Sequence, residues 1–281
     1  MEQTVDTRLG RIHFTSTGDG PPLVLLHSVG HDRHDFDAIA PALSRRFRVV
    51  AVDLPGHGAS TLSLPARDVD APAMFEALGE FMSKTTSSRD PAIVLGCSIG
   101  GAAAVHLAAH HPARVAGVVL VNSGGVTPHN TASRAFCWLM GREAVRGAVR
   151  MAFARRYLSL RNAHVEAILT RHEAFGAEPH AVSLEAAIWR SFARPESDVA
   201  ELATKLSVPA LLVWGRRDPV SRASVEGARA RASLPHAEYF ELDTGHAPFA
   251  EDPAAFLEVL TPFLEQVDAR PSMRQDASEL R

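Results

Sequence analysis

Five short runs of almost unbroken apolar residues constrain this chain more than any other feature. They are Leu23-Val24-Leu25-Leu26, Val49-Val50-Ala51-Val52, Ala92-Ile93-Val94-Leu95, Val118-Val119-Leu120-Val121 and Ala210-Leu211-Leu212-Val213-Trp214. A strand with one wet face alternates apolar and polar residues; a strand covered on both faces, as in a parallel sheet, does not. Segments with helical spacing separate the runs. Phe36, Ile39, Ala40 and Leu43 mark one, and Met74, Phe75, Leu78 and Phe81 another. A third, 102–109, is alanine-rich, and a fourth carries Phe256, Leu257, Leu260, Phe263 and Leu264. Strands alternating with helices predict a doubly wound α/β fold. The opening stretch Arg11 to Gly18 alternates instead and is expected to form an edge hairpin arm.

The alternation breaks after Asn122. From about Thr127 to Pro195 no buried-strand pattern occurs, and Trp138, Phe153, Phe175, Trp189 and Phe192 fall in helical patches. The expected division is an α/β core over 1–126 and 196–268, a helical cap over 127–195, and a flexible tail over 269–281, where Pro271 interrupts any helix. Arg142, Arg146, Arg150, Arg155 and Arg156 recur at helical spacing in the cap and are expected to form a solvated face.

The chain has 281 residues, 29 basic and 32 acidic side chains and a net charge of -3, which gives no support for a nucleic-acid surface. Its two cysteines, Cys97 and Cys137, make no disulfide framework and suit a reducing compartment. The first residues lack a basic segment followed by an apolar one, and no apolar run nears the roughly 20 residues of a membrane helix. These features predict a cytoplasmic enzyme with a small-molecule substrate, no nucleic-acid or membrane partner, and a monomeric or homo-oligomeric state.

Gly96-Cys97-Ser98-Ile99-Gly100 directly follows the third apolar run and precedes the alanine-rich helix. G-x-S-x-G between a strand and a helix is the pattern of a nucleophile elbow. The serine sits on a strained turn, and side chains two residues before and after it would clash, hence the glycines. The turn also presents the Ile99 N–H at a helix N-terminus, where developing negative charge is favoured. No lysine follows the glycines and no G-x-G-x-x-G occurs, which argues against a nucleotide loop. A serine needs a base. His246 follows the strand-like Ala237 to Leu242 and precedes the last helix, and Asp218 ends another buried run ahead of Pro219. The chain order Ser98, Asp218, His246 is the order of α/β hydrolases.

From about Thr7 to Val267 the chain resembles the α/β-hydrolase fold, a mostly parallel sheet flanked by helices with a helical cap insertion. Asp53-Leu54-Pro55-Gly56-His57-Gly58-Ala59-Ser60 resembles the family's D-x-x-G-x-G-x-S loop, and Leu25-Leu26-His27 its first buried strand running into the oxyanion loop. His57 belongs to the first of these loops and is given no catalytic role. The usual His-Gly is replaced here by His27-Ser28-Val29-Gly30, an arrangement similar to that of 3-oxoadipate enol-lactonases. The resemblance implies Ser98 as nucleophile, His246 as base, Asp218 as its orienting acid, and backbone N–H groups of Val29 and Ile99 as the oxyanion hole. His27, Ser28, Trp138, Trp189 and Phe192 are candidates for the substrate pocket.

A serine nucleophile argues against the aspartate-using haloalkane dehalogenase and epoxide hydrolase branches. The expected function is hydrolysis of a small-molecule ester, thioester or lactone through an acyl-enzyme, with no cofactor and no metal. Carbon–carbon bond hydrolysis, cofactor-free haloperoxidase chemistry and acyl transfer would use the same apparatus. A non-catalytic ligand receptor of the same fold is the alternative from another class; such proteins often lose a member of the Ser–His–Asp set, and all three candidates are present here.

Overall fold

The five apolar runs fall in five neighbouring strands. The computed structural model describes residues 1–268; the tail expected over 269–281 lies outside the described residues. The strands are β1 (Glu2–Thr7), β2 (Gly10–Thr17), β3 (Pro22–Leu26), β4 (Arg48–Val52), β5 (Ala92–Cys97), β6 (Val115–Val121), β7 (Ala210–Gly215) and β8 (Glu238–Leu242). They form one eight-stranded sheet in the order β1-β2-β4-β3-β5-β6-β7-β8. β1 with β2 and β2 with β4 pair antiparallel, as an edge hairpin arm should, and every other pair is parallel.

The helices are α1 (Ala40–Leu43), α2 (Ala71–Thr85), α3 (Ile99–His110), α4 (Thr131–Met140), α5 (Glu143–Tyr157), α6 (Ala163–Gly176), α7 (Ala181–Ser191), α8 (Ala200–Ala203), α9 (Ala228–Ser233), α10 (Pro248–Glu251) and α11 (Pro253–Asp268). Side chains of successive strand residues point to opposite faces, and the sheet accordingly separates two cores. Val24, Leu26, Val94, Val118 and Leu212 join Met74 and Phe75 of α2 and the small residues of α3 on one face. Leu23, Leu25, Ile93, Val119 and Leu211 join Phe256, Leu260 and Phe263 of α11 on the other. Each fully buried Val, Leu or Phe contributes roughly 1.5–3 kcal/mol of hydrophobic free energy. The segment expected as one helix from Phe36 to Leu43 is split into a 3-10 turn, Arg33–Phe36, and the short α1. Pro41 accounts for the break, because proline opens a helix readily and lacks the N–H that a continuous helix would bond back to Asp37. Among the described residues no helix is long and apolar enough to cross a membrane.

Four helices, α4 to α7, fill the stretch between β6 and α8 where no strand was expected. Their arginines correct one expectation. Arg142, Arg155 and Arg156 are exposed, but Arg146 and Arg150 are buried. Both converge on Glu185 of α7: Arg146 Nε donates to Oε2 at 2.5 Å and Arg150 Nη2 to Oε1 at 2.9 Å. Arg150 also donates to the carbonyl of His172 in α6 at 2.7 Å. Burial acts to raise the Glu185 carboxyl, but the two guanidiniums outweigh it and hold it at about 2. Periodicity along α5 located one helix face; a carboxylate from another helix turned that face inward.

Candidate active site

The turn after β5 places Ser98 at φ 54° and ψ -117°, a backbone conformation rare for a residue with a side chain. The chain around it leaves no room for alternatives. A Cβ on Gly96 would lie 2.0 Å from the Gly100 carbonyl oxygen, and one on Gly100 2.3 Å from that of Leu26. The carbonyl of Ser98 accepts from the N–H groups of Gly101, Ala102 and Gly124 at 2.9, 3.2 and 2.8 Å, and its own N–H donates to Val121 at 3.1 Å. The hydroxyl is thereby raised at the carboxyl end of the parallel strands, above the first turn of α3.

Asp218 and His246 arrive from the loops after β7 and β8. Nδ1 of His246 donates to Asp218 Oδ2 at 2.6 Å, because an ionised carboxylate can only accept. In the neutral ring this selects the tautomer whose Nε2 is an acceptor. The other Asp218 oxygen accepts from the Val220 N–H at 2.8 Å, so the residue also caps the turn it opens. Burial acts to lower the pKa of His246, but the charge and hydrogen bond of Asp218, with a smaller contribution from Glu251, raise it above the ordinary imidazole value. Ser98 and His246 line the same cavity. Hydrogen bonds between such groups in unliganded enzymes are often long and tighten only with substrate.

The loop after β3 turns back on itself through a Ser28 carbonyl to His31 N–H bond of 3.2 Å, with Gly30 at φ 78°. Val29 at the tip faces the cavity with Ile99. Neither backbone N–H is used in a hydrogen bond to a backbone acceptor among the described residues. Two such donors beside a serine hydroxyl are an arrangement that can hold an oxyanion.

The cavity measures about 460 Å³. Phe136, Phe153, Ile188, Trp189 and Phe192 form much of its apolar wall, and Arg156 and Arg222 also reach it. Trp189 and Phe192 are the two pocket candidates that line this cavity. Three pocket candidates do not. His27 is fully buried below the loop: its Nε2 accepts from the Leu54 N–H at 2.9 Å and its Nδ1 donates to the Ser28 carbonyl at 2.7 Å. Ser28 is buried too, its hydroxyl donating to Cys97 Sγ at 3.2 Å. Trp138 is 55% exposed, with the Arg142 guanidinium 4.5 Å from its ring centroid. Ala132, Ser133, Phe136 and Cys137 set the cavity side of α4, and at about 100° per residue Trp138 lies well round from Phe136. Phe175 stacks on His57 at 5.1 Å rather than lining the cavity.

Asn122 was missed as a site residue. It sits at φ 41° at the end of β6. Its Nδ2 donates to the carbonyls of Gly245 and His246 at 3.1 and 3.0 Å, and its Oδ1 accepts from the Gly215 N–H at 2.9 Å. It joins the loop of Asp218 to the loop of His246. The only trace in the sequence is an asparagine, a residue tolerant of positive φ, at the end of a buried strand.

A family model described as the alpha/beta hydrolase family matches residues 23–259. The pimeloyl-[acyl-carrier protein] methyl ester esterase of Chromobacterium violaceum is 32% identical over 271 residues, 88% of this chain and 96% of that protein. The Nitrosomonas europaea protein of the same name is 32% identical over 272 residues, 89% of this chain and 98% of that one. Among solved structures, a thermophilic esterase from Thermogutta terrifontis superposes with a TM-score of 0.79 at 24% identity, covering 95% of this chain and 99% of that one. The enol-lactonase from Burkholderia xenovorans LB400 gives 0.76 at 24% identity, covering 94% of this chain and 100% of that one. The parallel sheet, the strained serine turn and the match over most of its length agree: the chain is an enzyme of the alpha/beta hydrolase family.

Proposed function

We propose that the chain is a serine hydrolase of small carboxylic esters, with thioesters and lactones as related substrates. The observation that carries this reading is the 2.6 Å bond from His246 to Asp218, which leaves Nε2 as an acceptor beside the cavity that Ser98 enters from its strained turn. The names of the relatives at 32% identity favour a simple alkyl ester on a longer acyl group. A largely apolar cavity suits that acyl group. Residues 127–195 act as the cap that selects it.

In this mechanism His246 Nε2 takes the proton of Ser98 as Oγ attacks the ester carbonyl. The oxyanion of the tetrahedral intermediate is held by the N–H groups of Val29 and Ile99, each such donor being worth about 3 kcal/mol. The ring gives the proton to the leaving alkoxide, which departs as alcohol. Water then attacks the acyl-enzyme with His246 again as base, releasing acid and restoring Ser98. Asp218 keeps the ring in one tautomer and stabilises the imidazolium.

A panel of p-nitrophenyl esters of graded acyl length, lactones and acyl thioesters tests the substrate class. Labelling with a fluorophosphonate tests the nucleophile. The expected result is a single adduct on Ser98 by intact mass and peptide mapping, and turnover highest for esters; an adduct elsewhere would remove Ser98 from the mechanism.

A further inference from the structure

Glu251, the last residue of α10, is a buried carboxylate whose hydrogen-bond donors are all neutral. Its Oε2 accepts from the N–H and the hydroxyl of Ser159, both at 3.0 Å, and from the N–H groups of Leu160 and Gly245, both at 2.8 Å. Its Oε1 accepts from the Ala247 N–H at 3.1 Å. Gly245 and Ala247 are the residues on either side of His246. Ser159 and Leu160 belong to the joint between α5 and α6. The end of α5, next to this joint, reaches His246 directly, since the Tyr157 carbonyl accepts the His246 N–H at 2.9 Å. The contact is close: a Cβ on Gly245 would lie 2.1 Å from the Tyr157 carbonyl oxygen.

Five of the six backbone groups of Gly245, His246 and Ala247 divide by direction, while the Ala247 carbonyl accepts from the N–H groups of Ala250 and Glu251 in α10. The carbonyls of Gly245 and His246 are bound from the sheet, by Asn122 Nδ2 and, for His246, by Cys97 Sγ at 3.3 Å. The three N–H groups are bound from the other side, one by Tyr157 and two by Glu251. A carboxylate suits this position because both of its oxygens only accept. An amide would turn an NH2 group toward at least one N–H.

We propose that Glu251 is a positioning residue for His246, holding the peptide units on both sides of the ring and tying them to the α5–α6 joint. The inference rests on the reading of His246 as base. Glu251 also places a negative charge near the ring. The other titratable groups around it are Asp218, Asp35, His31, Tyr157 and Cys97.

The test compares Glu251→Gln and His246→Ala with the unaltered enzyme on one p-nitrophenyl ester, each normalised to fluorophosphonate-titratable sites where these form. Glu251→Gln is expected to lower kcat about 10- to 100-fold, the scale of a misplaced catalytic group, with KM within about threefold. The acid limb of its pH profile should move to lower pH, because the imidazolium loses a nearby negative charge. If Glu251→Gln does not fold, Glu251→Asp carries the test, with kcat lowered and the acid limb kept, since the charge remains and the shorter side chain cannot span all five donors. A turnover per titrated site within about twofold of the unaltered enzyme, in whichever variant folds, would overturn the proposal even if stability fell. An active His246→Ala enzyme would instead overturn the assignment of the base.

Discussion

At the scale of single residues, the unusual backbone of Ser98 is held by neighbours that each have another structural reason to be where they are. Gly96 and Gly100 pass close to one another, and the Ser98 carbonyl accepts three N–H groups. Ser98, Asp218 and His246 were legible because each sits at a strand end beside local punctuation: paired glycines, a Pro after the Asp, a Gly before the His. His27 and Ser28 were legible as loop residues but not in their direction. Their partners, Leu54 and Cys97, lie 27 and 69 positions away. Asn122 bonds to a backbone carbonyl 123 positions away, and Glu251 joins the N–H groups of nearby Gly245 and Ala247 to that of Ser159, 92 positions away, links that no local pattern records. Two expectations belong here. Activity should fall as pH drops and His246 takes a proton, with the midpoint above about 6.5 because the pKa of the folded ring is raised; a pH–rate profile flat from 5 to 8 would contradict the role. Asp218→Asn should lower kcat by roughly 10⁴ with the fold retained, because an amide can stabilise the wrong tautomer. Steady-state kinetics with circular dichroism measures both.

At the scale of elements, the apolar runs were the most reliable signal, because a strand buried on both faces has little freedom in composition. Helix boundaries were less so: Pro41 divides what periodicity joins. The arginines of α5 show a deeper limit. Helical spacing gives the face a residue occupies, and whether that face meets water depends on what packs there. Here it meets Glu185. Removing the shared carboxylate strands two buried guanidiniums, so Glu185→Gln should destabilise the fold by about 3–5 kcal/mol, the range for breaking a buried ion pair. Urea unfolding should show it as a lower midpoint at an unchanged slope; a loss below about 1 kcal/mol would mean that the pair is not buried in solution.

At the scale of the whole molecule, two buried acids bend the dependence of stability on pH in opposite directions. Glu185 is held at about 2, below its unfolded value, so its contribution is present above about 4.5 and is lost as pH falls toward 2. Asp35 is pushed up to about 8, chiefly by burial and then by Asp32, while burial lowers its partner His31 to about 3. The two meet at 2.6 Å as a neutral pair; Arg171, 3.7 Å from Asp35, is too distant to reverse the shift. A raised carboxyl favours the fold at low pH, and that advantage is lost as pH rises from about 4 through about 8. Thermal unfolding of Asp35→Asn should therefore fall less between pH 5 and 8 than that of the unaltered chain, and parallel curves would refute the assignment.

The insertion between β6 and α8 is fastened to both halves of the site. His172 of α6 donates to the Gly30 carbonyl at 2.7 Å, next to Val29, and the α5–α6 joint grips the loop of His246. Exchanging the insertion would therefore disturb both loops. A graft replacing all of it would bring a new pocket and lose the anchorage of the chemistry beneath. Substitutions at Phe136 and Cys137, on the cavity side of α4, would reshape the cavity while leaving the contacts of the α5–α6 joint in place.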